Sequence, residues 1–232
     1  GSCGICKGKI IQGTVDYGRH NEETLTADEK QAGKALFCCA SPLTDLVIEC
    51  HEISATKDIE IKTLPCRVHK LELVAPDVMV ISLKLPTNQR LQFLAGQYID
   101  ILLKDGKRRS FSLANAPHDD EYLELHARNY PGGVFTEHVF TNMKVKDMLR
   151  FTGPLGSFFL RDTPEECSII FLASGTGFAP IKSILEHVFH QEGGRHRKRN
   201  MTLYWGARTK SDLYLADLAD KWQREHDNFT FI

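Results

Sequence analysis

The sequence predicts a multidomain chain of mixed α+β and α/β class, and three features lead to this prediction. Four of its cysteines lie within the first 39 residues. Residues 66–161 contain several short segments in which apolar and polar side chains alternate, which indicates an antiparallel β-barrel. From residue 167 onward, apolar runs alternate with helical patterns, which indicates a doubly wound parallel sheet.

Composition excludes several partner classes. The 232 residues carry a net charge of −1, so neither nucleic acid nor an anionic membrane surface is expected as a partner. No apolar run approaches the ~20 residues of a membrane span, and no leader pattern precedes the first motif, so we expect a cytoplasmic protein. The chain lacks an initiator Met and ends in a strand-like run, which predicts a fragment truncated at both ends.

Two cysteines near the start of the chain, Cys3 and Cys6, are separated by two residues. Such a pair could be half of a zinc site or a redox dithiol. Cys38 and Cys39 are adjacent, so they cannot form a second pair of the zinc type. We expect their side chains to point in different directions, which leaves one of them as a ligand. Small apolar packing roles are expected for Cys39, Cys50, Cys66 and Cys167.

The rest of the N-terminal region contains a short helix and a strand. Thr26 and Glu29 have the spacing of a capping box, which predicts that a helix begins there. Residues 46–50 are predicted to form a closing strand. The polar residues 54–58 lack periodicity, and they favour a linker before the next domain.

An arginine, an aromatic ring and two serines alternate at the end of an extended run in the middle of the chain. Because alternate side chains of a strand share a face, Arg109 and Phe111 should point one way, and Ser110 and Ser112 the other. A guanidinium can hold a phosphate through two hydrogen bonds, and a flat ring can stack on a planar heterocycle. A strand that ends in a solvated basic turn is the alternative interpretation.

A glycine-rich turn lies downstream of this strand, at residues 130–133. Residues 133–136 are predicted to begin a helix that continues through Val139. The N–H groups at the start of this helix, with the Thr136 hydroxyl, would suit a phosphate. An ordinary capped helix after a glycine turn is the alternative.

The C-terminal third alternates between strands and helices. Residues 167–173 form a continuous apolar run of the type found in a buried parallel strand. Gly175-Thr176-Gly177 follows as a tight turn, and Pro180 suits the first turn of the next helix. A second strand at 201–205 and a second helix at 216–226 continue the pattern. The usual Gly-x-Gly-x-x-Gly fingerprint is absent, and the basic residues 193–199 favour a solvated loop.

Five motifs follow one another, at residues 96–98, 109–112, 130–136, 153–158 and 175–180. This series resembles the ferredoxin reductase-like flavoproteins, in which Arg-x-Phe/Tyr-Ser holds FAD and Gly-Thr-Gly-x-x-Pro belongs to the NAD(P) domain. The cysteine spacing resembles the plant-type [2Fe–2S] pattern. The resemblance implies a partial β-grasp ferredoxin domain (1–53), a linker (54–64), a six-stranded FAD-binding β-barrel (65–162) and a partial NAD(P)-binding domain (163–232).

The resemblance also implies which residues hold the cofactors. Cys3, Cys6 and Cys38 would be cluster ligands, and the first ligand would lie five positions before Cys3. Arg109 would hold the FAD pyrophosphate, Phe111 would stack on the isoalloxazine, and Ser112 would hydrogen-bond near its reactive nitrogen.

Other residues would complete the two nucleotide sites. Further FAD contacts would come from His126, Ala127, Gly132, Gly133, Val134 and Thr136. The nicotinamide nucleotide would contact Gly175, Thr176, Gly177, Pro180, Gly206 and Arg208. Ser112 and Thr176 would be the catalytic residues.

The function implied by the resemblance is that of an NAD(P)H-dependent oxidoreductase that passes electrons through FAD and a [2Fe–2S] cluster to a partner enzyme. Within this family the chain looks most similar to the CDP-4-dehydro-6-deoxyglucose (CDP-6-deoxy-glucoseen) reductases of deoxysugar synthesis, whose partner is a pyridoxamine-phosphate, iron–sulfur dehydrase. The alternatives are the reductase of an aromatic-ring or alkane oxygenase and a non-catalytic nucleotide-binding module. NADH is favoured over NADPH, although Arg208 and Lys210 could meet a 2′-phosphate.

Overall fold

The computed structural model describes residues 4, 6–49, 58–161, 164, 166–191, 194, 196 and 198–232. The chain divides into two compact units, Gly1–Ser54 and Ala55–Ile232. Among the described residues, no helix is long and apolar enough to cross a membrane.

The first unit is built from short strands around one short helix. In chain order, its described elements are β1 (Lys7–Gln12), β2 (Val15–Asp16), α1 (Ala27–Gln31), β3 (Lys34–Leu36), β4 (Ser41–Pro42) and β5 (Val47–Ile48). A three-stranded antiparallel sheet has the order β3-β1-β5, and β2 pairs with β4. The predicted capping box is confirmed, because the Glu29 N–H donates to the Thr26 hydroxyl and the Thr26 N–H donates to the Glu29 carboxylate.

The second unit begins with a six-stranded antiparallel sheet. Its elements are β6 (Lys62–Ala75), β7 (Val78–Lys84), β8 (Tyr98–Leu102), β9 (Arg108–Ser112), β10 (Leu123–Arg128), α2 (Val134–Thr141) and β11 (Met148–Leu155). The strand order is β10-β7-β6-β11-β8-β9, and an antiparallel bridge between Leu113 and Leu125 joins the two ends of this order. This closed sheet is the barrel that the alternating segments predict. β6 begins at Lys62, inside the range expected for the linker.

The barrel is held together by the inward face of each strand. Because neighbouring side chains of a strand point to opposite faces, one apolar set fills the interior. The fully buried members include Val68, Ile81, Ile99, Leu125 and Phe151.

The remainder of the second unit, called the nucleotide domain below, is a parallel sheet with helices. Its elements are β12 (Ile169–Ser174), a single 3₁₀ turn (Gly175–Gly177), α3 (Phe178–His190), β13 (Met201–Gly206), a second 3₁₀ turn (Lys210–Asp212), α4 (Ala216–Glu225) and β14 (Phe229–Phe231). The sheet order is β12-β13-β14, with both pairs parallel. The predicted alternation of strand and helix is therefore confirmed.

The first strand of this domain differs from the prediction of a fully buried strand. Phe171 and Ala173 are buried beneath α3 and α4, but Ile170 and Leu172 are 65% and 75% exposed. In the part of the chain that the structure describes, both helices contribute to the core on the Phe171 side of the sheet. A continuous apolar run cannot show by itself how many faces of a strand are covered.

The basic stretch before β13 also differs from the predicted solvated loop. Arg199 is buried, and its Nε donates to the carbonyl oxygen of Cys167 at 2.6 Å. The Asn228 side chain donates in turn to the Arg199 carbonyl oxygen at 2.6 Å. Arg199 therefore connects the segments that lead into the three parallel strands. Residues 193, 195 and 197 of this stretch lie outside the described residues.

Candidate functional site

The strand β9 carries the arginine–aromatic–serine motif in the predicted alternation. In its antiparallel pairing with β8, Arg109 lies opposite Ile101 and Phe111 opposite Ile99, two residues of the barrel core. Ser110 and Ser112 lie opposite Asp100 and Tyr98 on the other face, and the Ser110 hydroxyl donates to Asp100 at 2.6 Å.

The arginine and the aromatic ring of this motif are both partly buried. Nη1 of Arg109 donates to the Arg108 carbonyl oxygen at 2.8 Å, which fixes one edge of the guanidinium. The Phe111 ring packs against Phe135 of α2 with a centroid distance of 5.4 Å. The helix α2, which is predicted to bind phosphate, therefore packs directly against β9.

The helix α2 begins as the sequence predicts. Gly133 is its N-cap and makes no side-chain capping bond, so phosphate oxygens could approach the N–H groups of the first turn. The Thr136 hydroxyl donates to the Gly133 carbonyl oxygen at 3.2 Å. A Cβ at Gly133 would lie 2.4 Å from that hydroxyl oxygen, so a side chain there would displace it. Gly132 has a φ of +76°, and Val134 is 59% exposed.

His126 and Ala127 point their side chains into the protein. Ala127 belongs to the barrel core. His126 is 4% exposed, and its ring nitrogens pair with the Tyr214 hydroxyl at 2.8 Å and with Glu124 at 2.9 Å. Because both side chains are buried, His126 and Ala127 could contact a flavin ring only through their backbone atoms.

The carboxylate beside His126 remains ionised. Burial acts to raise the pKa of Glu124, but the hydrogen bond with His126 and the nearby Lys182 ammonium outweigh it and lower that pKa to about 2. The pKa of His126 is lowered, chiefly by burial. A neutral imidazole beside a carboxylate places its proton on Nε2, so Nδ1 accepts from the Tyr214 hydroxyl.

The turn after β12 collects most of the residues expected to meet the nicotinamide nucleotide. Gly175 has a φ of +52°, and its carbonyl oxygen accepts a hydrogen bond from Trp205 Nε1 at 3.0 Å. No atom lies within 4 Å of a Cβ built on Gly177, so open space lies beside this turn. Thr176 is part of the turn, and Pro180 lies in the first turn of α3.

Gly206 and Arg208 follow the neighbouring strand β13. Gly206 lies opposite Ser174 in the parallel register, so both strands end at the same edge of the sheet. That edge is the carboxyl end, where nucleotides bind in doubly wound sheets. The Arg208 side chain is 82% exposed, and its Nε lies 4.0 Å from Asp212.

The sequence did not single out Arg128, which connects the barrel to this turn. A Cβ at Gly175 would lie 3.2 Å from Nη1 of Arg128, although the arginine belongs to β10 of the barrel. Nε of Arg128 is 3.3 Å from Asp77, but Nε and Nη2 are buried without a hydrogen bond. The one feature of the sequence that could have indicated a functional role for Arg128 is its position two residues before the glycine-rich turn at 130–133.

In the first unit, three cysteine sulfurs lie close together. The Sγ atoms of Cys6 and Cys38 are 3.0 Å apart, and those of Cys38 and Cys39 are 3.5 Å apart. The expectation that Cys38 and Cys39 point in different directions is therefore wrong, because the turn after β3 brings both sulfurs to one side. Cys3 lies outside the described residues. Convergent thiols of this kind fit the ligand set of a [2Fe–2S] cluster.

Two of the cysteines expected to fill apolar space, Cys66 and Cys167, differ in their exposure to solvent. Cys66 is buried in the barrel core, and burial raises the pKa of its thiol to about 12. Cys167 is exposed, so its predicted packing role is wrong, because it lies in the loop before β12 rather than in the strand. Cys50 lies outside the described residues.

Three family models match the chain. They describe a 2Fe-2S iron-sulfur cluster binding domain at residues 1–43, an oxidoreductase FAD-binding domain at residues 65–160 and an oxidoreductase NAD-binding domain at residues 171–232.

Several characterised proteins are similar over the whole chain. The CDP-6-deoxy-L-threo-D-glycero-4-hexulose-3-dehydrase reductase of Yersinia pseudotuberculosis serotype I (strain IP32953) is 37% identical over 232 residues, which are 100% of this chain and 68% of that protein. Reductase component 1 of terephthalate 1,2-dioxygenase from Comamonas sp. is 35% identical over 233 residues. The matched region covers 100% of this chain and 67% of that protein. The crystal structure of the Amycolatopsis cytochrome P450 reductase GcoB has a TM-score of 0.74 at 34% identity, covering 99% of this chain and 68% of that one.

Proposed function

Since the chain belongs to the ferredoxin reductase-like family of oxidoreductases, with FAD-binding, NAD-binding and [2Fe–2S] domains, we propose that it supplies a separate partner enzyme with electrons from NADH. FAD can accept two electrons as a hydride and release them one at a time to a one-electron cluster. The protein therefore has to bind, align and shield its cofactors, and no nucleophile or acid–base pair is required.

One observation carries this proposal: the flavin barrel and the nicotinamide turn meet within one unit. Arg128 at the end of β10 lies beside Gly175, and the Leu113–Leu125 bridge places the end of β9 next to the same strand. Hydride transfer requires the two rings to be in contact, so the sites that hold them must adjoin.

We assign the flavin to the barrel face formed by β9, β10 and the start of α2. Arg109 and the N–H groups at the start of α2 would bind the pyrophosphate, since both favour anions. Phe111 and Ser112 would contact the isoalloxazine. The backbone of His126 and Ala127, with Gly132, Gly133, Val134 and Thr136, would complete the flavin site.

We assign the nicotinamide nucleotide to the edge of the parallel sheet. The open space beside Gly177 would admit the dinucleotide, and Thr176 would lie nearest the reacting ring. Gly175, Pro180, Gly206 and Arg208 would border the rest of the nucleotide. Arg128 is added to this set, because its buried N–H groups suit a phosphate oxygen.

We assign the cluster to the first unit, with Cys3, Cys6 and Cys38 among its ligands. The 3.0 Å separation of the Cys6 and Cys38 sulfurs supports this assignment. The domain ranges 1–53, 65–162 and 163–232 are supported by the three matched ranges, while the proposed linker at 54–64 is shortened at its end, because β6 already begins at Lys62. A cytoplasmic location suits the supply of NADH.

The proposed partner is a pyridoxamine-phosphate, iron–sulfur dehydrase that acts on a CDP-linked deoxyhexulose. The Yersinia reductase supports this choice by its name and by 37% identity over the whole chain. An oxygenase is the second candidate, supported by the 35% identity to the terephthalate dioxygenase reductase component.

The test is reduction of the FAD-loaded protein followed by transfer to each partner. We expect NADH to bleach the flavin absorbance faster than NADPH, and the reduced protein to be reoxidised by the dehydrase with its CDP-sugar substrate. Reoxidation by a ring-hydroxylating oxygenase alone would select the second candidate. Flavin that neither nucleotide reduces would contradict the electron-transfer function itself.

A further inference from the structure

A chain of polar groups, all buried except the partly exposed Glu124, crosses from the barrel to the nucleotide domain within the second unit. Lys182 of α3 donates to Glu186 at 2.9 Å and lies 3.2 Å from Glu124 of β10. Glu124 pairs with His126, which pairs with the Tyr214 hydroxyl of the nucleotide domain. We call Lys182, Glu124, His126 and Tyr214 the interdomain chain.

The charges of this chain are compensated across the domain boundary. Lys182 is 8% exposed, and its ammonium lies between two carboxylates, one from its own helix and one from the barrel. A buried ammonium is stable only beside such partners, so separation of the domains would strand it. Ser183, next in α3, donates to the Asn115 carbonyl oxygen at 2.7 Å and adds a second crossing contact.

Lys182, at one end of the interdomain chain, contacts the segment after β9, and Tyr214, at the other end, contacts a residue bonded to the turn at Gly175. Nζ of Lys182 donates to the Ala114 carbonyl oxygen at 3.3 Å, two residues beyond Ser112. At the other end, the Tyr214 ring meets Trp205 edge to face with a centroid distance of 5.2 Å. Trp205 in turn donates to the Gly175 carbonyl oxygen at 3.0 Å.

We propose that the interdomain chain positions the turn Gly175–Gly177, assigned to the nicotinamide, against β9, assigned to the flavin, with Lys182 and Tyr214 as positioning residues for hydride transfer. This inference rests on the proposed function. Hydrogen bonds between buried groups are directional, so they specify one alignment of the two domains where apolar packing would tolerate small slips. A misplacement of the reacting groups by about 1 Å can reduce a reaction rate by roughly 100-fold. The rate of hydride transfer should therefore depend on this alignment of the two domains.

Tyr214→Phe gives the cleanest test, because it removes one hydroxyl and keeps the ring. Flavin reduction is followed in the FAD-loaded protein at increasing NADH concentrations, which separates the limiting rate from the Kd for NADH. We expect the limiting rate to fall about tenfold while FAD content and Kd stay within about twofold of the parent. Tyr204→Phe is the matched control, since Tyr204 is exposed on β13 and should behave like the parent.

Lys182→Met provides a second variant, with Lys221→Met as its control. Lys221 is exposed on α4 and, among the described residues, pairs only with Glu225 of the same helix, so its loss leaves the contacts between the domains intact. We expect a reduced limiting rate in Lys182→Met only. An unchanged limiting rate in both Tyr214→Phe and Lys182→Met would overturn the inference, and so would a loss confined to NADH affinity.

Hydrogen exchange supplies a readout that does not depend on turnover. The amide of Ala114 donates to the Glu124 carbonyl oxygen, and the amide of Glu124 donates to the Asn115 side chain. Faster exchange of these two amides in Tyr214→Phe than in Tyr204→Phe would support the positioning role, and equal exchange would overturn it. If neither NADH nor NADPH reduces the parent protein, the proposed function fails while this measurement still decides the role of the interdomain chain.

Discussion

The sulfur atoms of Cys6 and Cys38 lie 3.0 Å apart, although the two cysteines are 32 positions apart in the chain. A backbone hydrogen bond from the Phe37 amide to the Cys6 carbonyl oxygen, 3.1 Å long, holds the two segments together. The contact therefore arises from the pairing of β1 with β3, and the fold brings the two thiols within hydrogen-bond distance without a disulfide between them.

The first prediction concerns the cluster ligands, tested in protein whose chain begins at least five residues before Cys3. Cys6→Ser and Cys38→Ser should each abolish the visible absorbance of the cluster and its iron and sulfide content, because thiolates are the ligands. Cys39→Ser and Cys167→Ser serve as controls and should retain the cluster. Loss in Cys39→Ser with retention in Cys38→Ser would assign the ligand to the neighbouring residue.

The second prediction is that Arg109 binds FAD through its charge. Arg109→Ala should weaken FAD binding by about 1.5–3 kcal/mol, the usual contribution of a hydrogen bond to a charged group. The matched control is Arg108→Ala, because Arg108 is exposed and neighbours Arg109 on the other face of β9. Flavin titration followed by fluorescence quenching measures both affinities, and equal values would remove Arg109 from the site.

The third prediction uses the open space beside Gly177. Apart from the adjoining backbone, no protein atom lies within 4 Å of a Cβ built on Gly177, so the fold should tolerate Gly177→Val. The side chain would fill the space assigned to the dinucleotide, and flavin reduction by NADH should slow while FAD content and thermal unfolding stay unchanged. Reduction at the parental rate across all NADH concentrations would show that the nucleotide passes elsewhere.

The fourth prediction concerns acid stability. The pKa of Glu124 is about 2 in the folded protein against an ordinary value of 4.5, so its contribution to stability is complete above pH 4.5 and is lost as the pH falls towards 2. At about 1.4 kcal/mol per pKa unit, the loss amounts to about 3 kcal/mol. The Glu124→Gln variant lacks this contribution to the free energy of unfolding.

Denaturant unfolding between pH 6 and pH 3 measures this effect, with both values chosen to span roughly the titration of the carboxyl. The stability advantage of the parent over Glu124→Gln should shrink on acidification. Glu121→Gln, at an exposed site near the start of β10, should follow the parent at every pH. A constant difference between parent and Glu124→Gln would mean that the carboxyl titrates normally in the folded state.

Local features of the sequence were sufficient to predict the architecture. The alternation at Arg109 and Phe111, the capping box at Thr26 and the helix start at Gly133 each depend on residues a few positions apart. Periodicity and capping chemistry are visible at that range, and all three are confirmed.

Contacts between distant segments could not be predicted in the same way. His126 and Tyr214 are 88 residues apart, and their hydrogen bond depends on how the nucleotide domain packs against the barrel. Arg128 was missed for the same reason, because its neighbour Gly175 belongs to another domain. The exposure of Leu172 also depends on which side of the sheet the helices occupy, and an apolar run carries no information on that choice.

The placement of Trp205 has a further consequence for optical measurements. The chain has two tryptophans, Trp205 and Trp222, and both are buried in the nucleotide domain. Trp205 stacks on Phe178 and donates its indole N–H to Gly175, so its environment changes whenever that turn moves. Intrinsic indole emission is therefore a reporter confined to one domain, and it can follow the turn Gly175–Gly177 without any added label.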